Sequence, residues 1–559
     1  MRPGAATRRP LLVSHPMRAN RIQQWTRRLH RRLARTLVLA GLLAGTPAFA
    51  QTLAVCTEAS PEGFDIAQYS AATTADAVAE TVYERLVQFV PGSTQVAPAL
   101  AERWEISADG LSYTFHLRKG VKFQRTDFFT PSREFNADDV LWSFQRQLDP
   151  AHPWHALSPR GYPYAQSMGL PALIERIDKL DDARVRFTLR RPEAPFLADL
   201  AMGFASIYSA EYADLLLKAG KAEQLNNLPL GTGPFVFQRY QKDALVRFAA
   251  NPDYWGGAPK VDRLLLSITP DPSVRIQKLR AGDCQVALYP RPTDVPTLRH
   301  EPQLKVAELD SLLVAYVALN TRHKPLDDVR VRQAINLAFD RDSYLKAQFG
   351  EGGASPAVAP YPSTLWGSDP DLKGWPHDLE RARQLLAEAG IQPGLKLSIW
   401  TRPGGGPTNP NPGIGAQMLQ DDLGKLGIHA DIRVYEWGEL IRRAKHGEHD
   451  LLFMGWVGDN GDPDNFLTPN LSCAAASSGE NMSGWCNAAF DDLLRQARAS
   501  TDQATRAGLY RQALAIFQRE APWIALAYPK QFAVLSPRVR GFTLSPLGSN
   551  NFAHVELAP

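Results

Sequence analysis

Beyond residue 50 the chain never strings together the roughly eighteen apolar residues that a membrane-crossing helix requires. No G-x-S-x-G elbow, H-E-x-x-H helix or G-x-x-x-x-G-K-[ST] loop occurs. The local signatures of serine hydrolases, zinc peptidases and nucleotide hydrolases are therefore missing. Cysteine is scarce, with 4 in 559 residues, and no pair has the spacing of a zinc knuckle. There is no internal repeat, and low complexity is confined to the short Gly404-Gly-Gly406 loop. A large charge excess is lacking too. The formal net charge is +4, but residues 1–50 hold ten arginines, no lysine and no acid. Taking those ten from 62 basic residues leaves 52 against 58 acidic ones, a balance of −6. A mildly acidic chain argues against nucleic acid as a partner.

What is present describes an exported globular protein. A chain of 559 residues exceeds one hydrophobic core and predicts two or three domains. Hydrophobic content of 44% and charged content of 21% are ordinary for such folds. Residues 1–50 read as a secretory signal. Arg27, Arg28, Arg31, Arg32 and Arg35 precede the apolar run Thr36 to Ala44, and Thr46-Pro-Ala-Phe-Ala50 offers cleavage before Gln51. Met1 and Met17 are both candidate starts. A retained anchor is the competing reading, but the apolar run is too short to span a bilayer. No cysteine stands at the cleavage point, so lipid anchoring is not expected. In an exported chain, Cys56, Cys284, Cys473 and Cys486 suggest two disulfides. Three pairings are open; the short spacing favours Cys473 with Cys486, which leaves Cys56 with Cys284.

Along the chain, Leu53 to Cys56 reads as a strand, and residues 73–89 as a helix capped by Thr73 or Thr74, with Val78, Val82, Leu86 and Phe89 at helical spacing. Residues 100–123 alternate as a hairpin turning at Ser107 to Gly110. Asn136-Ala-Asp-Asp-Val140 caps a helix through Gln147, with Asp138 and Asp139 read as a cap and its neighbour. From about residue 327 helices and strands alternate. Helices are predicted from a cap at Asp327 or Asp328 through Phe339, and from Asp378 to Ala389, Gln417 to Leu426, Gly438 to Lys445 and Ala504 to Phe517. Strands are predicted over Leu395 to Trp400, Ala430 to Val434 and Leu451 to Met454. This rhythm implies a parallel sheet covered by helices. Ala525 to Tyr528 and Ala533 to Leu535 read as two further strands.

One strand end carries the chemistry. Leu451-Leu-Phe-Met-Gly-Trp456 runs into Val457-Gly-Asp-Asn-Gly-Asp-Pro-Asp-Asn-Phe466, an apolar strand opening onto a turn rich in glycine and carboxylate. Ligands in open α/β sheets bind outside the carboxyl ends of strands. Asp459 is the candidate for recognition of a cationic group such as a peptide α-amino group. Asp462 and Asp464 do not fit the calcium-loop frame and read as turn residues. Trp437 and Trp456, beside strand ends, are candidates for a pocket wall. His446 and His449 read as a solvated helix end, and no metal or cofactor is expected.

The hairpin from Ala101 to Phe123 resembles the signature of family 5 extracellular solute-binding proteins, the peptide and nickel receptors of ABC importers. Gly231-Thr-Gly-Pro-Phe235, Asn251-Pro-Asp-Tyr-Trp-Gly256, Leu326 to Ala334 and Asp378 to Arg383 extend the likeness over residues 51–559. Ser60 to Phe64, Arg191 to Met202 and Gly455 to Phe466 are similar to the dipeptide-binding branch. The resemblance implies an α/β, periplasmic binding protein type II-like, two-lobed receptor with an additional inserted domain. Lobe I would comprise 51–85, 228–310 and 531–559, with 86–227 inserted, and lobe II would comprise 311–530. It implies the pairs Cys56–Cys284 and Cys473–Cys486. It also implies a periplasmic monomer without enzymatic activity, importing di- or oligopeptides through an inner-membrane ABC permease. An exported hydrolase is the distant alternative.

By residue match the resemblance pairs Asp459 with the ligand's amino group. It gives peptide hydrogen bonds to backbone at Met454, Gly455 and Trp456 and near Thr73 and Thr74. Trp437, Gly406 and Thr408 complete the implied site. At one place the pattern is broken. The dipeptide receptors hold the ligand carboxylate with an arginine just before a proline in the loop after the Trp400 strand, and here Gly406 precedes Pro407. An unmatched charge in a buried pair costs about 2–5 kcal/mol. Arg402 reads as a surface residue that would substitute only if the loop folded back. Relatives without that arginine include haem and glutathione receptors, which are the alternative ligands.

Overall fold

The strand Leu313–Leu319 is apolar and buried at every position. Side chains alternate across a strand, so such a run needs apolar cover on both faces. In the computed structural model, which describes residues 51–158 and 161–559, it has that cover. Ala315, Val317 and Leu319 enter one core, while Val314, Tyr316 and Ala318 enter another on the opposite face. Leu451 and Phe453 join the first of these cores and Leu452 the second. The expected signal segment and its cleavage point lie outside the described residues.

Among the described residues the main sheet has twelve strands. Its path runs His429–Val434, Lys396–Thr401, Leu451–Val457, Leu313–Leu319, Trp523–Leu535, Val286–Leu288, Thr52–Thr57, Arg263–Ile268, Leu245–Ala250 and Phe235–Gln241. Lys305–Asp310 and Ala354–Pro356 also pair with Trp523–Leu535. A separate four-stranded sheet holds Ala101–Ile106, Ser112–Leu117, Arg184–Leu189 and Ile174–Asp181, so the predicted hairpin stands.

Two halves are visible in the packing. One core gathers residues from Leu53 to Leu288 and from Ala533 to Leu557, and two cores on opposite sheet faces gather residues from Leu312 to Tyr528. The stretch 86–227 shares its core with the segments on either side of it. Asp378 caps its helix as predicted; within the capping stretch 136–140 the cap is Asn136, and of Asp327 and Asp328 it is Asp328. The disulfides are Cys56–Cys284 and Cys473–Cys486, with Cα separations of 5.9 and 4.5 Å.

Four expectations are corrected. The helix over 73–89 is only a short turn, Ala72–Thr74 continued by Ala75–Ala79, and neither threonine caps it. Beyond it the backbone is claimed elsewhere: Gly233 N–H donates to the Val82 carbonyl (2.8 Å) and Phe235 N–H to that of Thr81 (2.9 Å). The helix placed at Gln417 begins at Pro412, behind an Asn411 cap. The two late strands are one, Trp523–Leu535. Finally, the sheet of the second half is mixed. Lys396–Thr401 pairs in parallel with its two neighbours, but Leu313–Leu319 is antiparallel to both of its own.

Candidate ligand-binding site

The strand Leu451–Val457 has unequal edges. Along its whole length one edge pairs with Leu313–Leu319. The other pairs with Lys396–Thr401 only at Leu451 and Leu452. From Phe453 onward that second edge is unpaired with any strand among the described residues. An extended peptide can add to such an edge.

Asp459 stands two residues past this strand. Its N–H donates to Asn465 Oδ1 (3.0 Å), and Trp456 Nε1 donates to the same oxygen (3.3 Å). Asn465 thus ties the turn to the strand end. Tyr164 Oη donates to Asp459 Oδ1 (3.0 Å), and Asn465 Nδ2 makes a longer contact with Oδ2 (3.4 Å). Among the described residues no cation forms an ion pair with this carboxylate. Burial pushes its pKa up to about 6 from the ordinary 3.8, against the lowering effect of its two hydrogen bonds. A part-buried carboxylate with one weakly satisfied oxygen is suited to an ammonium group.

The neighbouring acids do other work. Asp462 forms a bidentate ion pair with Arg506 (2.7 and 2.8 Å), both buried, and Arg506 lies 4.9 Å from the Trp366 ring centroid. Asp464 accepts from Thr468 Oγ1 (2.8 Å). Asn460 Nδ2 donates to buried Asp199 Oδ1 (2.6 Å). The turn is therefore hydrogen-bonded to the 86–227 stretch through Tyr164 and Asp199, and Gly461 packs against Thr94 of the same stretch. His446 is exposed as expected, but His449 is buried and so is not part of a solvated helix end; they face different backbone carbonyls, those of Arg442 and Met482.

The loop after Lys396–Thr401 packs on the same strand. Asn409 Nδ2 donates to the Met454 carbonyl (2.7 Å), and Tyr344 Oη holds Asn409 Oδ1 (2.8 Å). Thr408 lies so near Gly455 that a Cβ there would overlap it, so glycine is what permits the approach. A Cβ on Gly406 would likewise overlap the Arg402 guanidinium. Arg402 is half-buried, and its guanidinium carbon lies 4.9 Å from the ring centroid of Trp437, itself 46% exposed. This corrects the surface reading of Arg402.

Of the predicted residues, Asp459, Met454, Gly455, Trp456, Gly406, Thr408 and Trp437 belong to one connected region. The side chains of Thr73 and Thr74 bond to the 60–62 segment: Thr73 Oγ1 donates to the Ser60 carbonyl (3.4 Å), and buried Thr74 accepts from Glu62 N–H (3.0 Å). Sequence reading missed Tyr164, Asn465 and Asn409. Asn465 could have been found, being six residues from Asp459 in the same turn. Tyr164 is 295 residues away and gives no local signal.

The pattern of bacterial extracellular solute-binding proteins, family 5 Middle, matches residues 95–478. The chain belongs to this family. Among its curated relatives is a di/tripeptide-binding protein 4 from Pseudomonas aeruginosa, 61% identical over 95% of this chain and 99% of the relative. Heme-binding protein A from Haemophilus influenzae is 46% identical over 90% of this chain and 92% of that one. Among solved structures, the ABC transporter-associated periplasmic binding protein DppA from Helicobacter pylori, in complex with peptide STSA, superposes with a TM-score of 0.82. It is 39% identical, over 91% of this chain and 99% of that one. The family 5 chain described here thus has the α/β two-lobed receptor fold, and its family is one of binding proteins rather than enzymes.

Proposed function

We propose that the protein is a periplasmic receptor for di- and tripeptides that closes its lobes on the ligand and delivers it to an inner-membrane ABC permease. The observation that carries this reading is the half-open strand edge ending at Asp459, a part-buried carboxylate without an ion-pair partner among the described residues. An extended peptide placed along that edge brings its α-ammonium group to Asp459. The printed names of the relatives support the same ligand class. The division of the apolar cores supports lobe I as 51–85, 228–310 and 531–559, carrying 86–227, and lobe II as 311–530. In this reading the mature chain is an exported monomer and performs no chemical step.

A haem or glutathione ligand is the second reading, favoured by Gly406 at the carboxylate position and by the Haemophilus relative. Calorimetry on the mature protein with dipeptides, tripeptides, oxidised glutathione and haem separates the two. Tight binding of peptides alone supports the proposal, whereas tight binding of haem or glutathione without peptide binding overturns it. Hydrolysis of a peptide mixture by the purified protein would restore the enzyme alternative.

A further inference from the structure

Arg402 is placed in an unusual way for an arginine at the start of a loop. The loop folds back because its far end is pinned. Asn409 is held by Tyr344 and Met454, Asn411 N–H donates to Gln348 Oε1 (2.9 Å), and Gly406 N–H donates to the Asn409 carbonyl (2.9 Å). The returning Gly406 backbone lies against the Arg402 guanidinium, where any larger residue would displace it. On another side stands the Trp437 ring, at 4.9 Å from the guanidinium carbon. Ring contact of this kind holds an arginine in place while leaving N–H groups free to donate. Among the described residues no carboxylate forms an ion pair with Arg402. A cation whose one carboxylate neighbour, Glu436, lies beyond ion-pair distance therefore sits in the loop that packs on Met454 and Gly455, and a carboxylate with no ion pair among the described residues ends the same strand at Asp459. Zwitterionic ligands have the complementary charges.

We propose that Arg402, steadied by Trp437 and admitted by Gly406, is the residue that binds the C-terminal carboxylate of the peptide. This assignment rests on the peptide-receptor reading. It makes Gly406 the residue that lets Arg402 enter the site, and it makes the free carboxylate a requirement for recognition. The guanidinium, with its forked N–H groups, can take both oxygens at once.

Titration calorimetry of the mature protein with Ala-Ala and Ala-Ala-Ala, and with their C-terminal amides, tests it in wild type, R402M and R402K. Wild type is expected to bind the acids about 30-fold or more tighter than the amides, the lower end for a broken buried charge pair. R402M is expected to bind the acids about 30-fold more weakly and to distinguish acid from amide no longer, with R402K between. The acid-to-amide ratio within one variant cancels any general folding loss. A ratio in R402M equal to that of wild type overturns the assignment while leaving the peptide reading intact, and so does a wild type that binds acid and amide alike. Failure of wild type to bind any of the four overturns the peptide reading and the assignment with it.

Discussion

Protonating Asp459 should switch off peptide recognition, and the pH at which this happens follows from its surroundings. In the ligand-free protein burial holds the carboxyl at about 6. A ligand ammonium favours the charged form and lowers that value, so complex formation below pH 6 expels a proton. Affinity is then full above about pH 7 and weakens about tenfold per pH unit below 6, or 1.4 kcal/mol per unit. Between pH 7.5 and 5 the Kd for Ala-Ala should rise about tenfold. Asp459→Asn should flatten that dependence and cost about 2–5 kcal/mol of binding at pH 7.5. Stability carries the opposite sign. A carboxyl raised in the folded state gives stability that is present below its unfolded value of 3.8 and lost as pH rises through about 6. The gap between these values corresponds to about 3 kcal/mol. At pH 8 the ligand-free Asp459→Asn protein should therefore resist unfolding better than wild type by up to about that amount. Calorimetric binding across pH 5–8 and thermal unfolding at pH 8 measure the two effects. A Kd flat with pH in wild type, or unchanged by Asp459→Asn, would refute the role given to this carboxylate.

Asp462→Ala should act on folding rather than on recognition. It strands the buried Arg506 guanidinium, at a cost of about 3–5 kcal/mol, seen as a large drop in melting temperature. Tyr164→Phe removes a hydrogen bond that lowers the Asp459 pKa, so the pH midpoint of peptide binding should move above about 6 in the same titrations. Losing Cys56–Cys284, which closes 228 residues, should cost about 5 kcal/mol by the chain-entropy relation, against about 3 for the 13-residue Cys473–Cys486 loop. Unfolding of the two double-serine variants ranks them, and the reverse order would count against that relation here.

Much of the fold was legible because it rests on local signals. Asn136, Asp328 and Asp378 announce helices by capping chemistry, and the alternation around Ser107 to Gly110 announces a hairpin. Asp459 was singled out because an apolar run ended in a carboxylate turn. The failures share a cause, which is that distant backbone decided the matter. Val78, Val82 and Leu86 have helical spacing, yet the carbonyls of Thr81 and Val82 receive the segment around Gly233. Pro529, Lys530 and Gln531 broke the apolar pattern of Trp523–Leu535, although they sit where that strand leaves one core for the other. Arg402 was misjudged because its place depends on glycine allowing a loop to double back, and spacing does not record this.

The passage of the chain between cores has a mechanical consequence. It happens twice, side by side: Lys305–Asp310 leads into Leu313–Leu319, while Trp523–Leu535 runs antiparallel beside both. Ser311 Oγ, at the crossing, donates to the Pro529 carbonyl (2.6 Å). Two adjacent ribbons bonded to one another work as a leaf spring. If the lobes move on ligand binding, the chain would flex at this crossing, and any stiffness there is an energy that every ligand must meet alike. Substitutions at Ser311 or Pro529 would then scale affinity for all ligands by a common factor, leaving their ranking to Asp459 and its loop.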